Sequence, residues 1–352
     1  MTPNAPAQIR IGISGWRYVP WRGVFYPAGL PQRLELRYAA SILRTVEING
    51  SFYSLQRPQS WRQWRDEVPA DFVFAVKGPR FITHMLKLRD VERPLANFLA
   101  SGVLSLNEKL GPLLWQFPPQ LRFNPERFAA FLALLPTDTA AALALAQRCD
   151  PARMQGRCHL EIDRQRPLRH AVEVRHESFL DPRFVEMLRA HDVALVIAET
   201  ARKWPMPRDV TADFMYLRLH GDLELYRSGY RPAALRRWAE RVRIWHEGGE
   251  PESLPPGAVR IAADRMPAPV AGRDVYCYFD NTDVKLRAPA DAQSLMRLLD
   301  QAPGRWPGDP ARAAIAPEAK AAVKKRAPRD ALRSASSAAA SARARTPRQT
   351  PR

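Results

Sequence analysis

The sequence predicts a parallel (β/α)₈ barrel followed by a disordered basic C-terminal tail, and three observations carry that prediction. Short β-branched or aromatic runs alternate with amphipathic helical segments through about 300 residues, the order that builds a parallel sheet. Several helical segments open on proline in their first turn, as at Asn124-Pro125, Asp181-Pro182 and Arg231-Pro232. Charged and polar residues gather where the strands end, the end at which barrels place their chemistry. An open Rossmann-type sheet is the alternative fold, disfavoured because no G-x-G-x-x-G follows the first strand.

The expected strands are Ile9–Ser14, Thr45–Asn49, Phe72–Lys77, Pro112–Phe117, His170–Arg175, Ala194–Glu199, Phe214–His220 and Asp274–Asp280. Between and after them, 3.6-residue periodicity marks helices over Leu34–Leu43, Ser60–Glu67, Leu95–Leu110, Pro125–Leu135, Pro182–Ala190, Pro232–Glu247 and Ala290–Leu299. The connection around Trp204–Asp213 shows no helical pattern. Two longer stretches, Asp138–Arg169 and Glu247–Gly272, read as peripheral loops bordering a ligand site. From Ala302 onward the composition collapses to Ala, Arg, Lys, Pro and Ser, which cannot bury enough apolar surface to fold. The expected domains are therefore a barrel over 1–302 and a disordered tail over 303–352.

Charge and cysteine content narrow the classes. The net charge is +18, and residues 303–352 hold 12 of the 54 Lys+Arg but only 3 of the 36 Asp+Glu. That imbalance favours anionic partners, with the tail a plausible anchor for nucleic acid and the barrel suited to a small anionic molecule. The cysteines are Cys149, Cys158 and Cys277, an odd number without a CxxC pair. They speak against a disulfide framework or structural zinc and suit a reducing compartment. Met1–Arg10 lacks the apolar core of a signal peptide, and no later run is long enough to span a bilayer. A cytoplasmic location with no membrane partner is expected.

Strand parity locates the site. Successive side chains face opposite ways, so one parity meets the helices and the other enters the barrel. Val46 and Ile48 oppose Glu47 and Asn49; Val172 and Val174 oppose Glu173 and Arg175; Leu217 and Leu219 oppose Arg218 and His220. The third strand ends at Lys77, the fourth at Gln116, the sixth at Glu199 and the eighth at Asp280-Asn281. Burying so many charges at one end is costly unless they serve a purpose. The bland alternative is a set of mutually satisfied ion pairs inside the barrel.

Long stretches resemble one family. They are Ile11-Gly12-Ile13-Ser14-Gly15-Trp16, Val46-Glu47-Ile48-Asn49 with Ser51-Phe52-Tyr53, Phe74-Ala75-Val76-Lys77 leading to Arg80-Phe81-Ile82-Thr83-His84, and Gln116-Phe117-Pro118-Pro119. Glu173-Val174-Arg175-His176, the run Ala212–Gly221, and Tyr278-Phe279-Asp280-Asn281 complete the set. Through them the chain up to about Leu299 resembles the YecE-like family, domain of unknown function seventy-two. The resemblance implies a TIM barrel of unestablished activity, loosely related to sugar isomerases and likened to metal-dependent DNA-repair endonuclease barrels. This chain departs from the family pattern at Gly50, where Ser or Thr is commoner, and at Glu177-Ser178-Phe179, where Pro-Ser-Trp is usual. Glu199 replaces a customary Asp, which counts against a metal-ligand role there. The basic tail lies outside the resemblance.

The ring supports acid/base chemistry on a sugar-like or phosphorylated ligand. Glu47 and Glu173 are the expected proton-exchanging carboxylates, with Lys77 and His220 as further catalytic candidates. Asn49, Tyr53, Arg80, His84, Gln116, Arg175, His176, Arg218, Asp280 and Asn281 are the candidate ligand-binding residues, the arginines clamping negative charge. Trp16, Tyr18, Trp21, Phe52 and Tyr53 stand on loops past the first two strands, able to stack on a sugar or base or simply to roof the barrel. No cofactor is expected. A divalent metal is a lesser option, because the cations compete for the same carboxylates and no H-x-H or H-E-x-x-H spacing occurs. Lys77 stands where a Schiff-base lysine sits in a barrel, but neighbouring acids are expected to keep it charged. Two other readings remain: an endonuclease-like, nucleic-acid-binding barrel whose arginines and tail hold phosphate, and a ligand-binding barrel without catalysis.

Overall fold

Side-chain alternation sorts the chain into two apolar layers, one between strands and helices and one inside the barrel. The computed structural model describes residues 6–253, 255–262, 270–280, 286–304 and 306. Its strands are β1 Ile9–Ser14, β2 Thr45–Ile48, β3 Val73–Lys77, β4 Leu110–Gln116, β5 His170–Glu173, β6 Val193–Leu195, β7 Ile197–Glu199, β8 Met206–Pro207, β9 Phe214–Leu219, β10 Ala258–Val259 and β11 Asp274–Phe279. Nine of them form one parallel sheet in the order β6-β5-β4-β3-β2-β1-β11-β9-β7. The two ends of that order, β6 and β7, are separated in sequence by Val196 alone. The Val196 amide donates to Val172 O (2.9 Å), so β6 and β7 are halves of one sixth strand. The first half pairs with β5 and the second with β9, and the sheet closes.

The inner layer is Ala75, Leu114, Ala171, Ala194, Val196, Ala198, Phe214, Tyr216, Tyr276 and Tyr278. The outer layer packs Ile11, Ile13, Val46, Ile48, Val172 and Leu217 against the helices. These are α1 Glu35–Ile42, α2 Gly50–Tyr53, α3 Pro58–Glu67, α4 Glu92–Ala100, α5 Pro125–Leu134, α6 Thr139–Ala146, α7 Pro151–Met154, α8 Pro182–Ala190, α9 Pro232–His246 and α10 Ala288–Leu298.

Two sequence-based expectations need correction. The single helix over Leu95–Leu110 is broken: α4 ends at Ala100, and a 3₁₀ segment, Val103–Lys109, follows. Gly102 makes the break with φ +100°, and any Cβ there would sit 2.8 Å from the Pro58 Cα. The stretch Asp138–Arg169 is not purely a loop, because Asp138 and Asp150 accept amide hydrogen bonds that start α6 and α7. The connection around Trp204–Asp213 has no helix, as expected, and β8 within it pairs with β10 from the Glu247–Gly272 stretch. Past the expected domain boundary at 302, Gly304 N donates to Ile42 O (3.0 Å) and Trp306 lies 5.6 Å from the Tyr38 ring. Residues 307–352, most of the expected tail, lie outside the described residues.

Gly12 shows how closely β1 and β2 approach: a Cβ there would lie 1.9 Å from the Thr45 carbonyl oxygen. Gly12→Ala should therefore force the two strands apart and cost about 3 kcal/mol. Urea unfolding is the check, and an unchanged midpoint would contradict this packing.

Candidate active site at the barrel mouth

Five strands carry the same device. An inward residue in the apolar layer is followed two positions later by an inward polar residue at the mouth: Ala75 then Lys77, Leu114 then Gln116, Ala171 then Glu173, Tyr216 then Arg218, Tyr278 then Asp280. The apolar member seals the barrel, and the polar member faces its open end.

Arg218 is the centre, with its side chain only 1% exposed. Its Nε donates to Glu47 Oε2 (3.0 Å) and its Nη2 to Glu47 Oε1 (2.9 Å), a bidentate pair. Nη2 also donates to Ser14 Oγ (3.2 Å) and Asp280 Oδ2 (3.0 Å), while Nη1 reaches Glu173 Oε2 (2.6 Å). Ser14 Oγ (2.6 Å) and Tyr216 OH (2.7 Å) donate to the two Glu47 oxygens. Arg175 Nε completes Glu173 at Oε1 (2.7 Å). Every oxygen of both glutamates is thus an acceptor already in use. Burial opposes ionisation of Glu173, but Arg175 and Arg218 outweigh it and hold the carboxyl well below its usual range. Asp280 is held low in the same way by Arg218.

His220 is fully buried beside this network. Arg218 Nη1 lies 3.4 Å from its Nε2, and only the arginine can donate there, so the ring proton belongs on Nδ1. Nδ1 sits 3.2 Å from Asp280 Oδ2 without the alignment of a hydrogen bond. Burial lowers the His220 pKa, and Arg218 adds to the effect.

Above the network opens a cavity of about 970 Å³. Its floor includes Asn49, Lys77, Gln116, Arg175 and Asp280, and its wall includes Tyr53, Arg80 and His84. Glu47, Glu173, Arg218 and His220 do not line it. Lys77 is 9% exposed, and among the described residues its Nζ makes no ion pair; it lies 4.2 Å from the centre of the Phe52 ring. Burial lowers its pKa to about 8, with Arg218 contributing. The amine is still mostly protonated at neutral pH, and Glu47, Glu173 and Asp280 favour that charge from a distance, their contacts being taken by Arg218. His84 is pushed down to about 4 by burial, then by Lys77 and Arg175, so its imidazole is neutral. Arg175 stacks on Trp204 at 3.9 Å and points Nη2 at Tyr226 OH (3.4 Å). Asn49 donates to Ser14 Oγ (2.7 Å), leaving its buried Oδ1 without a partner.

Two expected residues fall elsewhere. His176 accepts from Ser178 N (3.0 Å) and caps the short turn Glu177–Phe179 outside the cavity. Glu199, expected in the ring, points outward, because Val196 and Ala198 hold the inward parity of the sixth strand. Its Oε2 accepts from Trp238 Nε1 (2.9 Å) on α9, and burial raises its pKa to about 7. Asn281 lies outside the described residues. The sequence reading missed Tyr216 and Tyr226. Tyr216 was recoverable, being two residues before Arg218 on the same parity; Tyr226 sits on a loop with no periodic signal. Among the described residues, no three His, Cys, Asp or Glu side chains converge on a metal-sized site, and no helix is long and apolar enough to cross a membrane.

The chain has known relatives. The family model described as "Protein of unknown function DUF72" matches residues 10–315. The chain belongs to the DUF72 family. Among its relatives is the UPF0759 protein YecE of Escherichia coli K12, 25% identical over 249 residues, which span 69% of this chain and 84% of YecE. The UPF0759 protein YunF of Bacillus subtilis is 29% identical over 126 residues, 34% of this chain and 44% of YunF. Crystal structures of DUF72 proteins from Thermotoga maritima (TM-score 0.58, 22% identity, 84% of this chain and 100% of that one) and Enterococcus faecalis (0.57, 18%, 84% and 96%) share the fold. The DUF72 barrel is thereby shown; no activity comes with it.

Arg218 holds this DUF72 floor together, so Arg218→Met should leave Glu47 buried without a cation and Glu173 with Arg175 alone. A loss of about 3–5 kcal/mol is expected in denaturant unfolding. Near-wild-type stability would show that the network is not what holds the mouth.

Proposed function

We propose that the barrel mouth is the active site of an enzyme acting on a small polyhydroxylated or phosphorylated ligand, with Lys77 as its proton-transfer group. One observation carries the reading: a buried amine without a carboxylate partner among the described residues, on the floor of a roomy cavity that Arg80 and Arg175 also line. An amine titrating near 8 exchanges protons close to neutral pH, where acid/base catalysis is most efficient. Arg80 and Arg175 would hold the anionic end of the ligand, and Asn49 and Gln116 its hydroxyls. Glu47 and Glu173 take a different part from the exchanging pair the sequence suggests. They fix Arg218 and set the local charge, since their oxygens are filled and they do not reach the cavity.

A second reading has its own observation. Tyr53 (69% exposed) and Met85 (62% exposed) stand on the rim, and the Arg80 guanidinium lies 5.8 Å from the Tyr53 ring. The adjoining cleft continues with Arg93 and with Arg153, which lies 5.3 Å from the Phe81 ring. Aromatic and arginine side chains interleaved in this way suit bases and backbone phosphate. On that reading the basic stretch 303–352 adds affinity, and deleting it should weaken single-stranded DNA binding and flatten its salt dependence. Binding unchanged by the deletion, measured by fluorescence anisotropy at two salt concentrations, would remove the tail from that reading.

The enzyme reading is tested by calorimetric titration with inorganic phosphate and a set of sugar phosphates. Lys77→Gln and Arg175→Ala should each weaken binding at least about tenfold, or about 1.4 kcal/mol, with the fold retained. Wild-type affinity in both variants would reject it. Stability provides a separate check. The unfolded chain binds the Lys77 proton more tightly than the folded one, so stability rises with pH between about 8 and the ordinary lysine value. Below that window the full cost of burying the charge is present, and Lys77→Met should stabilise the protein at pH 7 by about 3 kcal/mol.

A further inference from the structure

We propose that Lys77 is a covalent nucleophile, whose amine condenses with the carbonyl group of a small phosphorylated aldehyde or ketone to form an imine at the barrel mouth. The proposal rests on the reading of this cavity as an active site and deepens it. Three placements support it.

The amine is fixed in position. Lys77 ends β3 on the inward parity, and its carbonyl accepts from Ser51 Oγ (2.7 Å), while the next amide, Gly78 N, donates to Leu114 O (2.8 Å). The backbone at the root of the side chain is therefore pinned on both sides of the strand.

Nearby acids are occupied. Arg218 binds Glu47, Glu173 and Asp280 together, and Arg175 takes the remaining Glu173 oxygen. Among the described residues the Lys77 ammonium keeps only the face of Phe52, a contact far weaker than a buried carboxylate. Burial then brings the amine close enough to neutral pH that about a tenth of it is uncharged at pH 7. That fraction is the nucleophile.

The surroundings suit the adduct. Arg80 and Arg175 line the same cavity and supply the guanidinium groups that a phosphate requires. His84 meets the same Phe52 ring edge-on at 5.0 Å and is kept neutral, so it is a proton acceptor on the cavity wall. The neutral amine nitrogen adds to the carbonyl carbon, forming the C–N bond. His84, directly or through water, takes a proton from that nitrogen and returns it to the oxygen, giving a carbinolamine. The C–O bond then breaks and the oxygen leaves as water with one further proton. What remains is a protonated imine, and the overall exchange is protonated lysine plus carbonyl for iminium plus water, with no oxidant or reductant. The iminium draws electrons from the adjacent carbon, which is the chemistry that isomerisation or carbon–carbon cleavage of a sugar phosphate requires.

The test is reductive trapping on the full chain. The protein is incubated with dihydroxyacetone phosphate at pH 7.5, reduced with sodium borohydride and mapped by peptide mass spectrometry. A trapped imine adds the mass of the probe less one oxygen. Lys77 is expected to label about a hundredfold faster than the exposed Lys87 and Lys203, because its pKa lies more than two units below the ordinary lysine value. Excess inorganic phosphate should suppress labelling at Lys77 and leave Lys87 and Lys203 unaffected. Lys77→Arg should abolish the major adduct, and the wild-type peptide map decides the question by itself if that variant does not fold. Equal labelling of Lys77, Lys87 and Lys203 overturns the proposal. So does calorimetric binding of the probe with no adduct at Lys77, an outcome that leaves the active-site reading intact. Failure of the probe and of all sugar phosphates to bind removes both.

Discussion

One guanidinium at 1% exposure sets the terms for the rest of the mouth. A buried arginine survives only if its donors are met and its charge is balanced, and Arg218 meets both conditions by drawing carboxylates from three strand ends. Glu47, Glu173 and Asp280 stand against Arg218, Arg175 and Lys77, a neutral set when the lysine carries its proton. The balance is uneven in geometry. Arg218 makes contacts to all three acids and Arg175 to one, while Lys77 makes none among the described residues. The group with the weakest hold on its charge is among those that face the cavity.

Much of this was legible in the sequence, because period-two alternation fixes which residues share a face. Glu47, Lys77, Gln116, Glu173, Arg218, His220 and Asp280 are inward as parity requires. Parity could not say which acid pairs with which base, since that depends on the stagger between strands. Glu47, for example, lies beside Ser14 on β1 and Ala75 on β3, and reaches Arg218 only across the interior. Nor did it reveal that every oxygen of both glutamates would already be in use, most of them by Arg218.

Glu199 shows where alternation misled. Its position at a strand end placed it in the ring, but the inward places on that strand belong to Val196 and Ala198. A carboxyl against α9 with Trp238 as donor is a different environment from one against Arg218. Without a cation in contact, burial prevails and the group titrates near neutrality. Gly102 taught a similar lesson for helices: the periodicity of Leu95–Leu110 is real, but one residue with positive φ redirects the chain.

The seam of the barrel has a consequence for how the chain comes together. β1 is bonded to β11 from Ile9↔Val275 to Ile13↔Phe279, a pairing that joins residues more than 250 positions apart. Until Asp274–Phe279 is available, β1 and β9 each present an unpaired edge of open amides and carbonyls. Such edges are templates for the strand of another molecule, and bridging so long a loop is slow. The interval before the eighth strand arrives is therefore when intermolecular strand exchange competes with folding, and closing the seam removes both sticky borders in one event.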